Sequence, residues 1–139
     1  MKLDLSSLQK AIASLESSLE VSKKFIKGEV KTEEEKVIQA GVIQNFEFTY
    51  ELCWKFMQRG LETYFNINEN LNKKELFRKA FENKLIENVP EWFKYYEARN
   101  ITSHTYDATK AETVYAAAKI FLNDAKILSK SLEKINEGK

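Results

Sequence analysis

The chain has 139 residues, enough for one domain with a single substantial core. Its 22 basic and 21 acidic side chains leave a net charge of +1, which excludes the global basic footprint of a duplex-binding protein and confines any nucleic-acid contact to a local patch. Four glycines and one proline are too few for a sandwich or barrel with many tight turns, and a single cysteine excludes an intramolecular disulfide.

The opening residues Met1-Lys2-Leu3-Asp4-Leu5-Ser6 meet a carboxylate early and have no continuous apolar segment, unlike a signal peptide. No apolar run approaches the roughly 18 residues of a membrane-spanning helix. A cytoplasmic protein without membrane contact is expected. From Leu5, the positions Leu5, Leu8, Ile12, Leu15 and Leu19 step by three and four and predict a first amphipathic helix that fades into Gly28.

Thr32, three residues before Glu35, fits a capping box, and Glu33 and Glu34 complement the helix dipole, so a second helix starts near Glu33. It should run to residues 64–66, with Val37, Gly41, Phe48, Leu52 and Phe56 as an apolar set and Gly41 permitting close approach of a neighbouring helix. Gln44, Glu47, Glu51, Lys55 and Gln58 form a polar stripe on the same helix. It reads as a solvated face with a possible Glu51–Lys55 pair, the alternative being that Glu47 or Glu51 points into an interface or cleft.

Four asparagines within residues 66–72 predict a turn, and Asn72, three before Glu75, caps a short helix bearing Leu76, Phe77, Ala80, Phe81 and Leu85. Pro90 suits the first turn of a fourth helix that carries Trp92, Phe93, Tyr95 and Tyr96 and ends in residues 99–106. Thr109 and Glu112 fit a capping box for the last helix, whose stripe is Val114, Ala118, Phe121, Ala125, Leu128, Leu132 and Ile135. An all-α, antiparallel up-and-down four-helix bundle with an additional short helix, forming one domain over residues 1–139, buries every stripe. Phe46, Tyr50, Trp54 and the aromatics of residues 92–96 exceed the evident needs of one small core and suggest a homodimer.

The stretch Arg99-Asn100-Ile101-Thr102-Ser103-His104-Thr105-Tyr106 holds the only histidine. If helical, it places Asn100 and His104 on one face and Arg99 and Ser103 on the adjacent one, so that a guanidinium, an amide and an imidazole converge. Arg99 offers bidentate phosphate recognition and His104 a proton-transfer group, a pairing suited to phosphodiester chemistry. Because each chain has one histidine, two imidazoles would require two protomers. From the residues alone, an Arg and a His that simply cap helix carbonyls are favoured over catalysis, with Tyr106 and Asp107 as ordinary turn residues. One histidine and one distant cysteine do not make a zinc ligand set, and Cys53 in its apolar stretch reads as a small buried hydrophobe. No glycine-rich phosphate loop, dinucleotide fingerprint or ordered Ser-His-Asp set occurs, so neither metal nor cofactor is expected.

Two segments, Val42-Ile43-Gln44-Asn45-Phe46-Glu47-Phe48-Thr49-Tyr50-Glu51-Leu52-Cys53-Trp54-Lys55 and Arg99 through Asp107, resemble the nucleotidyltransferase substrate-binding proteins of the HEPN superfamily. The resemblance spans nearly the whole chain and implies a dimeric helical bundle that forms a complex with a minimal nucleotidyltransferase encoded beside it. In the toxin branch, Arg, four residues, His, one residue and Tyr mark a metal-independent ribonuclease site at the dimer cleft. Arg99, His104 and Tyr106 match that spacing, and Asn100 matches the polar residue after the arginine. The resemblance further implies that the transferase silences such a toxin by adenylylating the motif tyrosine, here Tyr106. It implies equally a non-catalytic subunit that presents a nucleotide or another substrate to its transferase. Glu47, Glu51 and Ser103 are expected to line the cleft.

Overall fold

The computed structural model describes residues 2–30 and 32–138, and within them the chain is all helical. Met1, Lys31 and Lys139, which include both ends of the expected single-domain span, lie outside the described residues. The order is α1 (Ser6–Phe25), α2 (Glu33–Phe65), α3 (Lys73–Glu82), α4 (Pro90–Asn100), a 3₁₀ turn (Thr102–His104) and α5 (Ala108–Glu137). No helix among the described residues is long and apolar enough to cross a membrane.

Local chemistry sets most of these boundaries. The Thr32 hydroxyl accepts from the Glu35 N–H at 3.1 Å while the Glu35 carboxylate accepts from the Thr32 N–H at 3.0 Å, closing the expected capping box. Asn72 and Glu75 make the same reciprocal pair at the start of α3, and Asn66 ends α2 in the left-handed conformation (φ 55°). Pro90 opens α4, where its missing N–H costs nothing.

The long helices alternate in direction. Ala11 receives the Thr49 hydroxyl, whereas the Leu3 N–H lies at 3.4 Å from the Tyr64 oxygen, so α1 runs against α2. Gln9 pairs with Glu133 and Glu16 with Lys126, so α1 also opposes α5. Arg99 reaches Glu51 and Thr102 reaches Glu47, which sets α4 against α2. The result is the up-down-up-down bundle, with α3 as the additional short helix. α4, at 11 residues, is scarcely longer than α3, at 10.

α2 is the hub, packing against all four other helices. Its buried face differs from the expected one. Val42, Phe46, Tyr50, Cys53, Phe56, Met57 and Leu61 point inward, while Val37 and Phe48 are mostly exposed. A Cβ at Gly41 would meet nothing within 4 Å, so Gly41 is not a close-approach site. That role belongs to Gly60, where a Cβ would come within 2.9 Å of Leu132 Cδ2 on α5. Of the expected set Phe56 is buried as read, whereas Val37 and Phe48 lie off the core face, which Phe46 and Tyr50 occupy instead.

Those aromatics are absorbed within one chain. Phe46, Trp92 and Tyr95 each pack edge-on against Phe121, at centroid distances of 5.1, 5.6 and 5.1 Å. The Tyr95 hydroxyl donates to Asp124, which satisfies its polar end. The aromatic surplus invoked for a homodimer is therefore largely core.

Candidate functional site

α4 ends at Asn100, one residue after Arg99. Ile101 leaves the helix, and residues 102–104 tighten into a 3₁₀ turn in which the His104 N–H donates to the Ile101 carbonyl at 3.0 Å. The expected continuous helix through His104 does not form, so Asn100 and His104 do not share a helix face. Asp107, rather than Thr109, caps α5, accepting from the Thr109 N–H at 2.9 Å and the Lys110 N–H at 3.2 Å. Glu112 turns instead toward the first loop, accepting from the Gln39 amide at 3.0 Å and the Val30 N–H at 3.4 Å.

Arg99 is the centre of a connected polar network. Its Nε donates to Glu51 Oε1 at 2.8 Å, and its Nη1 donates to Thr102 Oγ1 at 3.1 Å. The Thr102 hydroxyl lies 2.5 Å from Glu47 Oε2 and donates to it, and the same Glu47 oxygen stands 3.7 Å from Arg99 Nη1. The other oxygen of Glu51 accepts from the Trp54 indole N–H at 2.8 Å. Lys73 covers the Trp54 ring at 3.6 Å. Lys55, the expected partner of Glu51, lies over the same ring at 5.8 Å instead.

Both Glu47 and Glu51 face the arginine from α2. Thr102 and Trp54 were missed as site residues. Each sits three residues from a residue already singled out, Thr102 from Arg99 and Trp54 from Glu51, and that spacing was the available signal. Tyr50, immediately before Glu51, is buried, and its hydroxyl has no hydrogen-bond partner among the described residues. Burial, reinforced by the Glu51 charge, pushes its pKa far above the ordinary phenol value and keeps it neutral.

His104 and Tyr106 project outward beside this network. Their rings meet edge to face at a centroid distance of 6.0 Å. Tyr106 is 84% exposed. Asn100 and Ser103 are also exposed. On the other side of Tyr106 lies an open cleft of about 420 Å³ between the first loop, α2 and the start of α5, bordered by Lys36, Gln39, Ile43, Thr105, Tyr106 and Glu112. Among the described residues no three His, Cys, Asp or Glu side chains gather as a metal-binding group would.

The family model described as nucleotidyltransferase substrate binding protein like matches residues 3–134. The chain belongs to the nucleotidyltransferase substrate-binding family of the HEPN superfamily. A member from Haemophilus influenzae named probable ribonuclease HepT is 40% identical over 101 residues, which cover 70% of this chain and 69% of that protein. A solved structure from the same species, described as the fold of a substrate-binding domain of a nucleotidyltransferase, superposes with a TM-score of 0.84 at 35% identity, covering 94% of this chain and 99% of that one. A crystal structure from Thermus thermophilus shares the fold with a TM-score of 0.73 at 24% identity, over 90% of this chain and 98% of that one.

Proposed function

We propose that this family member is a metal-independent ribonuclease toxin, acting in the cytoplasm as a homodimer, and that a minimal nucleotidyltransferase partner silences it by adenylylating Tyr106. The observation that carries this reading is the arrangement of residues 99–106. A partly buried arginine is fixed by α2, and the chain's one imidazole and an exposed phenol follow on the adjoining turn, in a chain homologous to a probable ribonuclease.

In this mechanism Arg99 binds the scissile phosphate and stabilises the charge that develops on it. His104 takes the proton of the RNA 2'-hydroxyl, whose oxygen attacks phosphorus. The P–O5' bond breaks, O5' leaves with a proton, and a 2',3'-cyclic phosphate remains. Two protomers facing one cleft supply an imidazole for each proton transfer. Val37 and Phe48, exposed on α2 at 72% and 54%, offer apolar surface for such a contact. Asn100 orients the substrate or the imidazole, and Ser103 lines the cleft. Neither a metal nor a cofactor enters these steps.

Silencing would proceed by attack of the Tyr106 oxygen on the α-phosphate of ATP, with loss of the phenolic proton and release of pyrophosphate. The new phosphodiester would place a bulky anion beside His104. Wild-type protein should cleave RNA with a chelator present, and His104→Ala should not. Incubation with the transferase and ATP should add adenylyl mass to wild type. If the Tyr106→Phe variant gains the same mass, Tyr106 is not the acceptor.

The cleft beside Tyr106 favours a second reading, a non-catalytic subunit that holds a nucleotide for its transferase. Its volume of about 420 Å³ falls within the usual range of small-molecule sites, ~300–1,000 Å³. That reading predicts nucleotide binding without RNA cleavage, weakened by substitution of a cleft residue such as Lys36.

A further inference from the structure

The two carboxylates around Arg99 are held very differently. Glu51 is fixed on both oxygens, by Arg99 Nε on one and by the Trp54 indole on the other, each at 2.8 Å. Glu47 is held through one oxygen by Thr102, stands 3.7 Å from Arg99 Nη1, beyond hydrogen-bond length, and is the more exposed of the two (43% against 33%). The guanidinium is therefore aimed from its Nε side and loosely countered on its Nη side. Lys73 and Lys55 over the Trp54 ring add positive charge on the Glu51 side, whereas on the Nη side Glu47 is the anion that an RNA phosphate must compete with.

We propose that Glu51, clamped by Trp54, is the positioning residue that aims Arg99, and that Glu47 is a resident counter-anion whose place at the guanidinium is taken by a substrate phosphodiester. This rests on the reading of the site as one that binds RNA. Phosphate entry detaches Glu47 from Arg99 and leaves the Arg99–Glu51 contact in place. The half-exposed Glu47 swings toward solvent, and the Thr102 hydroxyl it leaves has the Arg99 carbonyl at 2.8 Å as its acceptor. The empty site is thus held in a self-countered state.

The test uses a fluorescent 2'-O-methyl RNA oligonucleotide, which lacks the attacking hydroxyl and binds without being cut. Binding is followed by anisotropy for wild type, Glu47→Gln, Glu51→Gln and Trp54→Phe, and the Arg99 Nε–H signal by ¹⁵N NMR. Glu47→Gln should bind about three- to tenfold more tightly than wild type, since one competing anion near the phosphate is gone. Its Arg99 Nε–H should remain protected from exchange. Glu51→Gln should lose that protection without the gain in affinity, and Trp54→Phe should lose part of it. Equal affinity of wild type and Glu47→Gln, or an equal gain in both glutamine variants, overturns the assignment of separate roles. Failure of every protein, wild type included, to bind the oligonucleotide would instead overturn the RNA reading on which the proposal stands.

Discussion

Cys53 lies in the middle of α2 with no exposed surface, and burial pushes its thiol pKa well above the ordinary 9.0. The folded state holds the proton that the unfolded state releases. Stability is therefore complete below about pH 9 and falls as the pH rises past it, by up to about 1.4 kcal/mol per pH unit for this one group. Tyr50 and Tyr95, raised in the same direction, add to the loss at higher pH. Urea unfolding across this range should show the decline, and Cys53→Ala should flatten its first part. A thiol reagent should label the native protein only as fast as it unfolds. The two glycines of α2 give a second contrast. Gly41→Ala should stabilise by ~0.5–1 kcal/mol, because the methyl meets open space in a helix interior. Gly60→Ala should destabilise by about 1 kcal/mol, since the buried Leu132 must give way.

At the scale of elements, the capping boxes of α2 and α3 were legible because hydroxyl or amide and carboxylate stand at the required spacing. The same pattern misled at α5. Thr109 and Glu112 fit a box, but Asp107 begins the helix two residues earlier and Glu112 is drawn to Gln39 on α2, a tertiary partner that local spacing does not reveal. Asp107→Ala should therefore cost about 1 kcal/mol, and Thr109→Ala within about 0.5, measured by thermal or urea unfolding. The end of α4 was hidden for a related reason. Thr102 accepts from Arg99 and donates toward Glu47, so the turn after Asn100 is fixed by contacts with α2. The site is consequently an α2 and α4 construction, with the two halves about fifty residues apart in sequence.

Over the whole molecule, the bundle followed from periodicity and from scarce glycine and proline, and its alternating directions follow from short connections. Which aromatics would face inward did not follow, since a helix with residues such as Val37, Phe46, Phe48 and Tyr50 carries apolar groups on more than one side. Residues 99–106 stood out as a density of polar groups around one histidine, whose role is the part of the account that experiment must decide. The most direct measurement is cleavage of a defined single-stranded RNA in the presence of EDTA by wild type and His104→Ala, with a matched strand carrying one 2'-deoxy sugar at the cleaved position. The account predicts a cut with a 2',3'-cyclic phosphate end by wild type, no cut at the deoxy position, and a rate loss of about 10²-fold or more in His104→Ala. Cleavage by His104→Ala at the wild-type rate would contradict it.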